Sequence, residues 1–296
     1  MIEVRGLTKQ YGPVTAVAGL TFDVPPGVVT AFLGSNGAGK STTLRMLLGL
    51  DPPTAGTARI DGSPYAELRE PLRTVGSLLD SSEPHPGRTA RAHLRWLAAS
   101  NRVPARRIDE VLDVVDLTAV ADRRVRGFSL GMRRRLGLAA ALLGDPSVLL
   151  LDEPVNGLDA EGIRWLRTSL RQLAAEGRTV VVSSHLMSEV EQTADHLLVL
   201  SRGRLLADTS LPDLLAGHSA TRVLVRTPQA RRLAELLTAG GATVAVQPDG
   251  ALHVAGVGAD VVSSVAARHA VPLLALGAGH RSLEDAFLAL TTGADE

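Results

Sequence analysis

Two kinds of apolar run alternate along most of the chain. Val28–Leu33, Val148–Leu151 and Thr179–Ser183 are short, nearly unbroken and rich in branched residues. That is the composition of strands buried on both faces of a parallel sheet. Between them lie longer stretches with apolar residues at helical spacing: Thr43–Leu48, Arg91–Ala99, about Ala105–Asp116, Leu136–Leu143 and about Ala160–Glu176. Ile2–Leu7 reads as a first strand with a turn at Lys9–Gly12, and Val24-Pro25-Pro26-Gly27 stops a hairpin before the next strand. Thr57–Ile60 reads as a short strand turning at Asp61-Gly62, and Leu72–Leu79 as another β-like run ending at Asp80. Leu197–Leu200 and Leu205-Leu206 form a hairpin about Arg202-Gly203. The fold class predicted is α/β, a mixed sheet carrying a helical insertion at about residues 81–145.

The pattern changes near residue 218. A strand at Arg222–Val225, a helix at Gln229–Ala239, a hairpin of Ala242–Val246 with Leu252–Val254, a helix at Asp260–Ala270 and a strand at Pro272–Leu276 follow in turn. This β-α-β-β-α-β order predicts a small ferredoxin-like α+β domain closed by a helix at Leu283–Leu290. The chain thus reads as residues 1–217 plus an accessory domain, 218–296.

A formal charge of zero leaves no electrostatic case for nucleic acid as a partner. With no cysteine there is neither a disulfide nor a thiolate metal site. No apolar run approaches the ~20 residues that cross a bilayer, and MIEVRGLTKQYG has none of the blocks of a signal peptide, so a chain that does not span a membrane is expected. Lys9 and Lys40 are the only lysines beside many arginines, so an isolated arginine carries little functional weight.

Lys40 stands in the stretch that organises the rest. Gly34-Ser35-Asn36-Gly37-Ala38-Gly39-Lys40-Ser41-Thr42 fits G-x-x-x-x-G-K-[ST], with a predicted strand before it and a helix after it. Glycines let successive amides turn inward around a polyphosphate, and the helix dipole adds partial positive charge. Lys40 would reach the β- and γ-phosphates of a bound nucleotide, and the Ser41 hydroxyl would hold Mg²⁺. The acidic pair Asp152-Glu153 sits at the carboxyl end of a buried strand, where open α/β sheets bind ligands. In-line attack on a γ-phosphate needs a positioned water and a metal to spread charge. Asp152 can hold the metal shell, Glu153 can act as general base, and His185 at the end of the next strand can donate to the γ-phosphate. Tyr11, a hairpin ahead of the strand leading to Gly34, reads as a platform for the base or as a locally packed strand-end residue. Ser129 can cap the following helix, whose N-terminus with the Gly131 amide is a second anion site. Arg133, Arg134 and Arg135 lie in that helix's first turns, where a cation costs about 0.3–1 kcal/mol unless an anion offsets it. They read either as part of that site or as a solvated face.

Further stretches carry a family resemblance. Phe128-Ser129-Leu130-Gly131-Met132 resembles the LSGGQ signature of ATP-binding-cassette (ABC) ATPases, Asp152-Glu153 their Walker B end, Gly157-Leu158-Asp159 their D-loop and His185 their switch histidine. Order and spacing agree over roughly the first 215 residues. The resemblance implies a P-loop NTPase core that binds and hydrolyses ATP with Mg²⁺. It implies a head-to-tail pair with a second ATP-binding subunit, most simply a homodimer, in which Ser129 and Gly131 face the γ-phosphate on the opposite P-loop and Asp159 lies at the shared site. It also implies a polytopic membrane permease as partner, hence a cytoplasmic protein peripheral to the inner face of the membrane. The ending Leu283–Leu288 is similar to bacterial drug- or lipid-export ATPases. Two positions depart from the pattern: Leu130 replaces the first signature glycine, and Asp80 stands where a glutamine is usual, which predicts a metal contact by Asp80. The alternatives are a soluble ABC-type ATPase working on DNA or the ribosome, or a regulatory module that binds ATP without hydrolysing it.

Overall fold

A computed structural model describes residues 1–79, 84–216, 222–247, 249–279 and 282–292. Asp80 lies outside them. The chain divides into two compact units, Met1–Leu211 and one beginning at Pro212.

In the first unit, β3 (Val29–Leu33), β5 (Val75–Leu78), β6 (Val148–Asp152), β7 (Thr179–Ser184), β8 (His196–Ser201) and β9 (Arg204–Ser210) form a mixed sheet in the order β5-β6-β7-β3-β8-β9. All neighbours are parallel except β8 and β9, which form the expected hairpin. β3, β6 and β7 are buried along their whole length, which is why they read as unbroken apolar runs. A second, antiparallel sheet has the order β2-β1-β4, from β1 (Ile2–Tyr11), β2 (Val14–Val24) and β4 (Ala55–Ile60). Its apolar face, with Val4, Leu20 and Phe22, packs with Phe32, Leu44, Leu150 and Leu198 around α1 (Lys40–Leu47). The other face of the large sheet is covered by α6 (Ala160–Ala175) and by the insertion, with α3 (Ala90–Ser100), α4 (Arg106–Val114) and α5 (Leu130–Leu142); Leu94, Leu112, Leu136, Leu149, Leu166 and Val180 share one core. α7 (Met187–Thr193) joins β7 to β8, and α8 (Leu211–Ala216) follows β9.

Three elements of this unit differ from the sequence reading. β1 runs on through Lys9-Gln10-Tyr11, paired with Val17, Thr15 and Val14, and the chain reverses at Gly12 with φ +55°. Polar residues there signal an exposed antiparallel strand rather than a turn. The Leu72–Leu79 run starts as a helical turn, α2 (Pro71–Thr74), with Pro71 at its first position; only Val75 onward is strand. α5 begins six residues earlier than Leu136, at Leu130, because Ser129 caps it through an acceptor bond from the Met132 amide (3.2 Å).

In the second unit, β10 (Arg222–Arg226), α9 (Ala230–Ala239), β11 (Thr243–Val246), β12 (Leu252–Ala255), α10 (Ala259–Arg268) and β13 (Ala275–Gly279) reproduce the expected β-α-β-β-α-β order. Their sheet, β11-β12-β10-β13, is antiparallel throughout. Val223, Val225, Leu252 and Val254 meet Leu233, Leu237, Val262 and Ala266 in one core. The last strand lies further on than Pro272–Leu276, because pairing with β10 begins only at Ala275, opposite Arg226. α11 (Leu283–Thr292) closes the described chain.

Candidate functional site

The carboxyl ends of β3, β6 and β7 converge on a cleft of about 490 Å³ lined by Asn36–Thr42, Asp152, Glu153, Asn156, His185 and Ala16. Parallel strands in adjacent register bring them there: Leu33 pairs with Ser184, and Asp152 with Ser183. Gly39 is the N-cap of α1, with φ +102°, and no side chain caps that helix. Its first amides are therefore offered to the cleft, the arrangement that binds anions. A Cβ on Gly39 would come within 2.8 Å of the Ala16 carbonyl oxygen, and one on Gly203, in the β8–β9 turn, within 2.7 Å of the same atom. Gly203 also bonds Ala38 and Ala18 through its backbone, so the turn clamps the loop from outside.

Lys40 is 5% exposed; its Nζ donates to the carbonyls of Gly34 (2.7 Å) and Ser35 (3.2 Å) and lies 3.6 Å from Glu153 Oε1. His185 Nδ1 meets Glu153 Oε2 at 2.9 Å. The Glu153 carboxylate is thus held between an ammonium and an imidazole, with its side chain only 12% exposed. Asp152, 2% exposed, accepts a hydrogen bond from the buried Ser183 hydroxyl, which in turn accepts from the Glu153 amide (2.9 Å). One serine organises both acids.

The residues expected at the site fall into three groups. Asn36, Gly37, Ala38, Gly39, Lys40, Ser41, Thr42, Asp152, Glu153 and His185 line the cleft, with Gly34 and Ser35 behind them as acceptors for Lys40. Ser129 and Gly131 are at the N-terminus of α5, and Asp159 caps α6 through the Gly162 amide (2.8 Å). Tyr11, 47% exposed, donates its hydroxyl to Asp51 (2.9 Å), which Arg45 also holds, and Lys9 Nζ lies 4.9 Å from its ring centre. Partial burial, and then the Asp51 carboxylate, push the Tyr11 phenol up. The Arg45 guanidinium beside Asp51 holds that carboxyl below the usual carboxylate range.

Arg133–Arg135 are half-buried rather than a solvated face. Arg133 donates to the Phe128 carbonyl (3.1 Å), Arg134 to the Glu153 carbonyl (2.8 Å) and Arg135 to Asp116 (3.4 Å). Sequence reasoning missed Ser183, Asn156, Gly203 and the bond from Arg134 to the Glu153 carbonyl. Only Ser183 left a signal, a polar residue closing an apolar strand. Among the described residues no helix is long and apolar enough to cross a membrane.

A family profile described as "ABC transporter" matches residues 17–156, from β2 through the P-loop and Glu153 to Asn156. The bacitracin transport ATP-binding protein BcrA of Bacillus licheniformis is 43% identical over 70% of this chain and 69% of its own length. The chain belongs to the ABC transporter ATP-binding proteins. As a member it is an ABC ATPase. The Nod factor export ATP-binding protein I of Paraburkholderia xenovorans (strain LB400) is 39% identical over 75% of each chain. The lantibiotic transport ATP-binding protein SrtF of Streptococcus pyogenes is 36% identical over 70% of this chain and 90% of its own. Among solved structures, an ATP-binding subunit of an ABC transporter superposes with a TM-score of 0.67 at 28% identity, covering 73% of this cassette's chain and 92% of its own. A dimeric bacterial ABC transporter cassette gives 0.66 at 25%, over 71% and 99%. Residues 221–284 match a second profile, described as a domain of unknown function (DUF8746).

Proposed function

We propose that this cassette hydrolyses Mg²⁺·ATP to power export through a separate polytopic membrane permease, paired head to tail with a second copy. The observation that carries the reading is the Glu153 carboxylate held between Lys40 and His185 beside uncapped amides of α1. Those amides and the Lys40 ammonium neutralise the β- and γ-phosphates. Glu153 accepts the proton of the attacking water as its oxygen bonds to the γ-phosphorus, and ADP leaves with the bridging oxygen. His185 keeps that carboxylate aimed and donates to the γ-phosphate.

The donor set suits Mg²⁺, a hard cation bound by one or two carboxylates plus phosphate oxygens and water. Ser41 Oγ and Asp152 would hold it, and it would spread the charge on the phosphates. Tyr11 offers an exposed ring to the adenine. Ser129 and Gly131 offer a capped helix N-terminus to the γ-phosphate on the partner's P-loop, with Asp159 beside that interface. The groove of about 260 Å³ lined by Tyr65, Leu72, His93, Leu97 and Gly137, next to exposed Trp96, suits a permease segment and would hold the cassette at the inner face of the membrane. Export is favoured because BcrA, SrtF and the Nod factor protein are named for bacitracin transport, lantibiotic transport and Nod factor export.

The test is phosphate release from Mg²⁺·ATP by the wild-type chain and Glu153→Gln, with affinity capture from detergent-solubilised membranes. Expected are turnover lost in Glu153→Gln with nucleotide still bound, and a polytopic protein in the captured material. A chain that binds no ATP at millimolar concentration, or a capture that holds no polytopic protein, refutes the corresponding half of the proposal.

A further inference from the structure

Glu153 has φ +47°, a left-handed backbone that a non-glycine residue keeps only where its surroundings impose it. Its amide donates to Ser183 Oγ (2.9 Å) and to the Ser183 carbonyl (3.2 Å). Its carbonyl accepts from the Asn156 amide (3.2 Å) and from Arg134 Nη2 (2.8 Å). Three of these four bonds come from neighbouring backbone or the next strand. The fourth comes from a charged side chain on α5, the helix that starts at the signature turn.

The same end of α5 meets the other end of the Glu153–Asp159 loop. A Cβ on Gly157 would come within 2.4 Å of Leu130 Cγ, and a Cβ on Gly131 within 3.1 Å of the Gly157 carbonyl oxygen. Gly157 itself has φ +81°. The first turns of α5 therefore touch the loop at Gly157 and, through Arg134, at Glu153.

We propose that Arg134 is a positioning residue for ATP hydrolysis: its guanidinium holds the Glu153 carbonyl, and so the left-handed turn that aims the Glu153 carboxylate at Lys40 and His185. The proposal rests on the reading of Glu153 as general base. A guanidinium suits the task because it is charged at every working pH and its donors sit in a rigid plane, so the bond to the carbonyl is charge-assisted and directional. The carbonyl also offsets the unfavourable placing of a cation near a helix N-terminus.

The experiment compares wild type, Arg134→Ala, Arg134→Gln, Arg134→Lys, Glu153→Gln and the Arg134→Ala/Glu153→Gln double variant as full chains. It measures kcat and KM for Mg²⁺·ATP, the Kd of an N-methylanthraniloyl-labelled ATP, and thermal stability. The expected result is kcat lowered about ten- to a hundredfold in Arg134→Ala and Arg134→Gln. KM and Kd stay within about twofold, Arg134→Lys recovers part of kcat, and the double variant is no slower than Glu153→Gln. If Arg134→Ala does not fold, Arg134→Gln is judged by the same criteria. The proposal is overturned if kcat is unchanged in the folded variants, if kcat and affinity fall together with stability, or if the double variant loses a further factor. Full turnover by Glu153→Gln would instead remove the general-base reading, whereas a dead Glu153→Gln beside an unaffected Arg134→Ala removes only the role of Arg134.

Discussion

Ser183→Ala isolates one hydroxyl on which both acids of the cassette depend. Ser183 is fully buried; it donates to Asp152, itself only 2% exposed, and accepts from the Glu153 amide. Removing it leaves a desolvated carboxylate short of a donor, while the Glu153 amide keeps its 3.2 Å bond to the Ser183 carbonyl. A hydrogen bond to a charged group is worth about 1.5–3 kcal/mol, so that is the expected loss of stability, almost all of it at Asp152. For a unit of this size 1 kcal/mol moves Tm by about 2–4 °C, which makes the expected fall roughly 3–12 °C. A cation on Asp152 would restore its compensation, so saturating Mg²⁺·ATP should close much of the gap between variant and wild type. Differential scanning fluorimetry with and without Mg²⁺·ATP reads both effects. Ser184→Ala is the control, since Ser184 Oγ accepts only from the Leu186 amide among the bonds described and touches neither acid. The reasoning fails if Ser183→Ala melts within 1 °C of wild type without nucleotide, or if the deficit is unchanged by Mg²⁺·ATP.

Gly39→Ala forces a side chain onto φ +102° and puts its Cβ 2.8 Å from the Ala16 oxygen. Strain of about 1–3 kcal/mol should appear as a lower Tm and weaker ATP binding in calorimetry; unchanged values on both would show that the loop tolerates a Cβ. Tyr11→Ala should weaken ATP binding by about 1–3 kcal/mol while Tyr11→Phe keeps it, because stacking needs the ring and not the hydroxyl. Equal losses in the two variants would mean that the bond to Asp51 matters instead. Burial, and then the Arg88 guanidinium, hold the His93 imidazole below its ordinary 6.5, and its Nδ1 is buried with no hydrogen-bond partner among the described residues. A base depressed on folding contributes stability that is complete above the unfolded value and is lost as pH falls from there through the lower folded value. Melting temperatures on either side of about pH 6.5 should therefore separate in wild type and draw together in His93→Phe; an unaltered separation would exclude His93 as its source.

The lining of the candidate site was legible where its parts are neighbours in the chain or close a buried strand. Gly34–Thr42 follows an apolar run and opens a helix, so that amides and ammonium converge through local backbone geometry alone. Asp152, Glu153 and His185 stand at the ends of runs whose apolarity already marks central strands. The Leu72–Leu79 run shows the limit of that reading: its composition suits either a strand or a helical turn, and Pro71 with the pairing of Val75 to Val148 settled the division. The polar end of β1 shows the converse, since Lys9, Gln10 and Tyr11 are strand because β2 lies beside them.

Register across distant segments left no trace in the order of residues. Arg134 is one arginine in a run of three, and nothing nearby separates it from Arg133 or Arg135. Only the packing of α5 beside the Glu153–Asp159 loop sends its guanidinium to the Glu153 carbonyl. Gly203 against Ala16 and Ser183 between two carboxylates are of the same kind. Polyphosphate chemistry is written in adjacent residues because a short loop takes its shape from its own torsions. How firmly the Glu153 carboxylate is aimed depends on side chains whose directions are set by the close packing of helices and strands far apart in the chain.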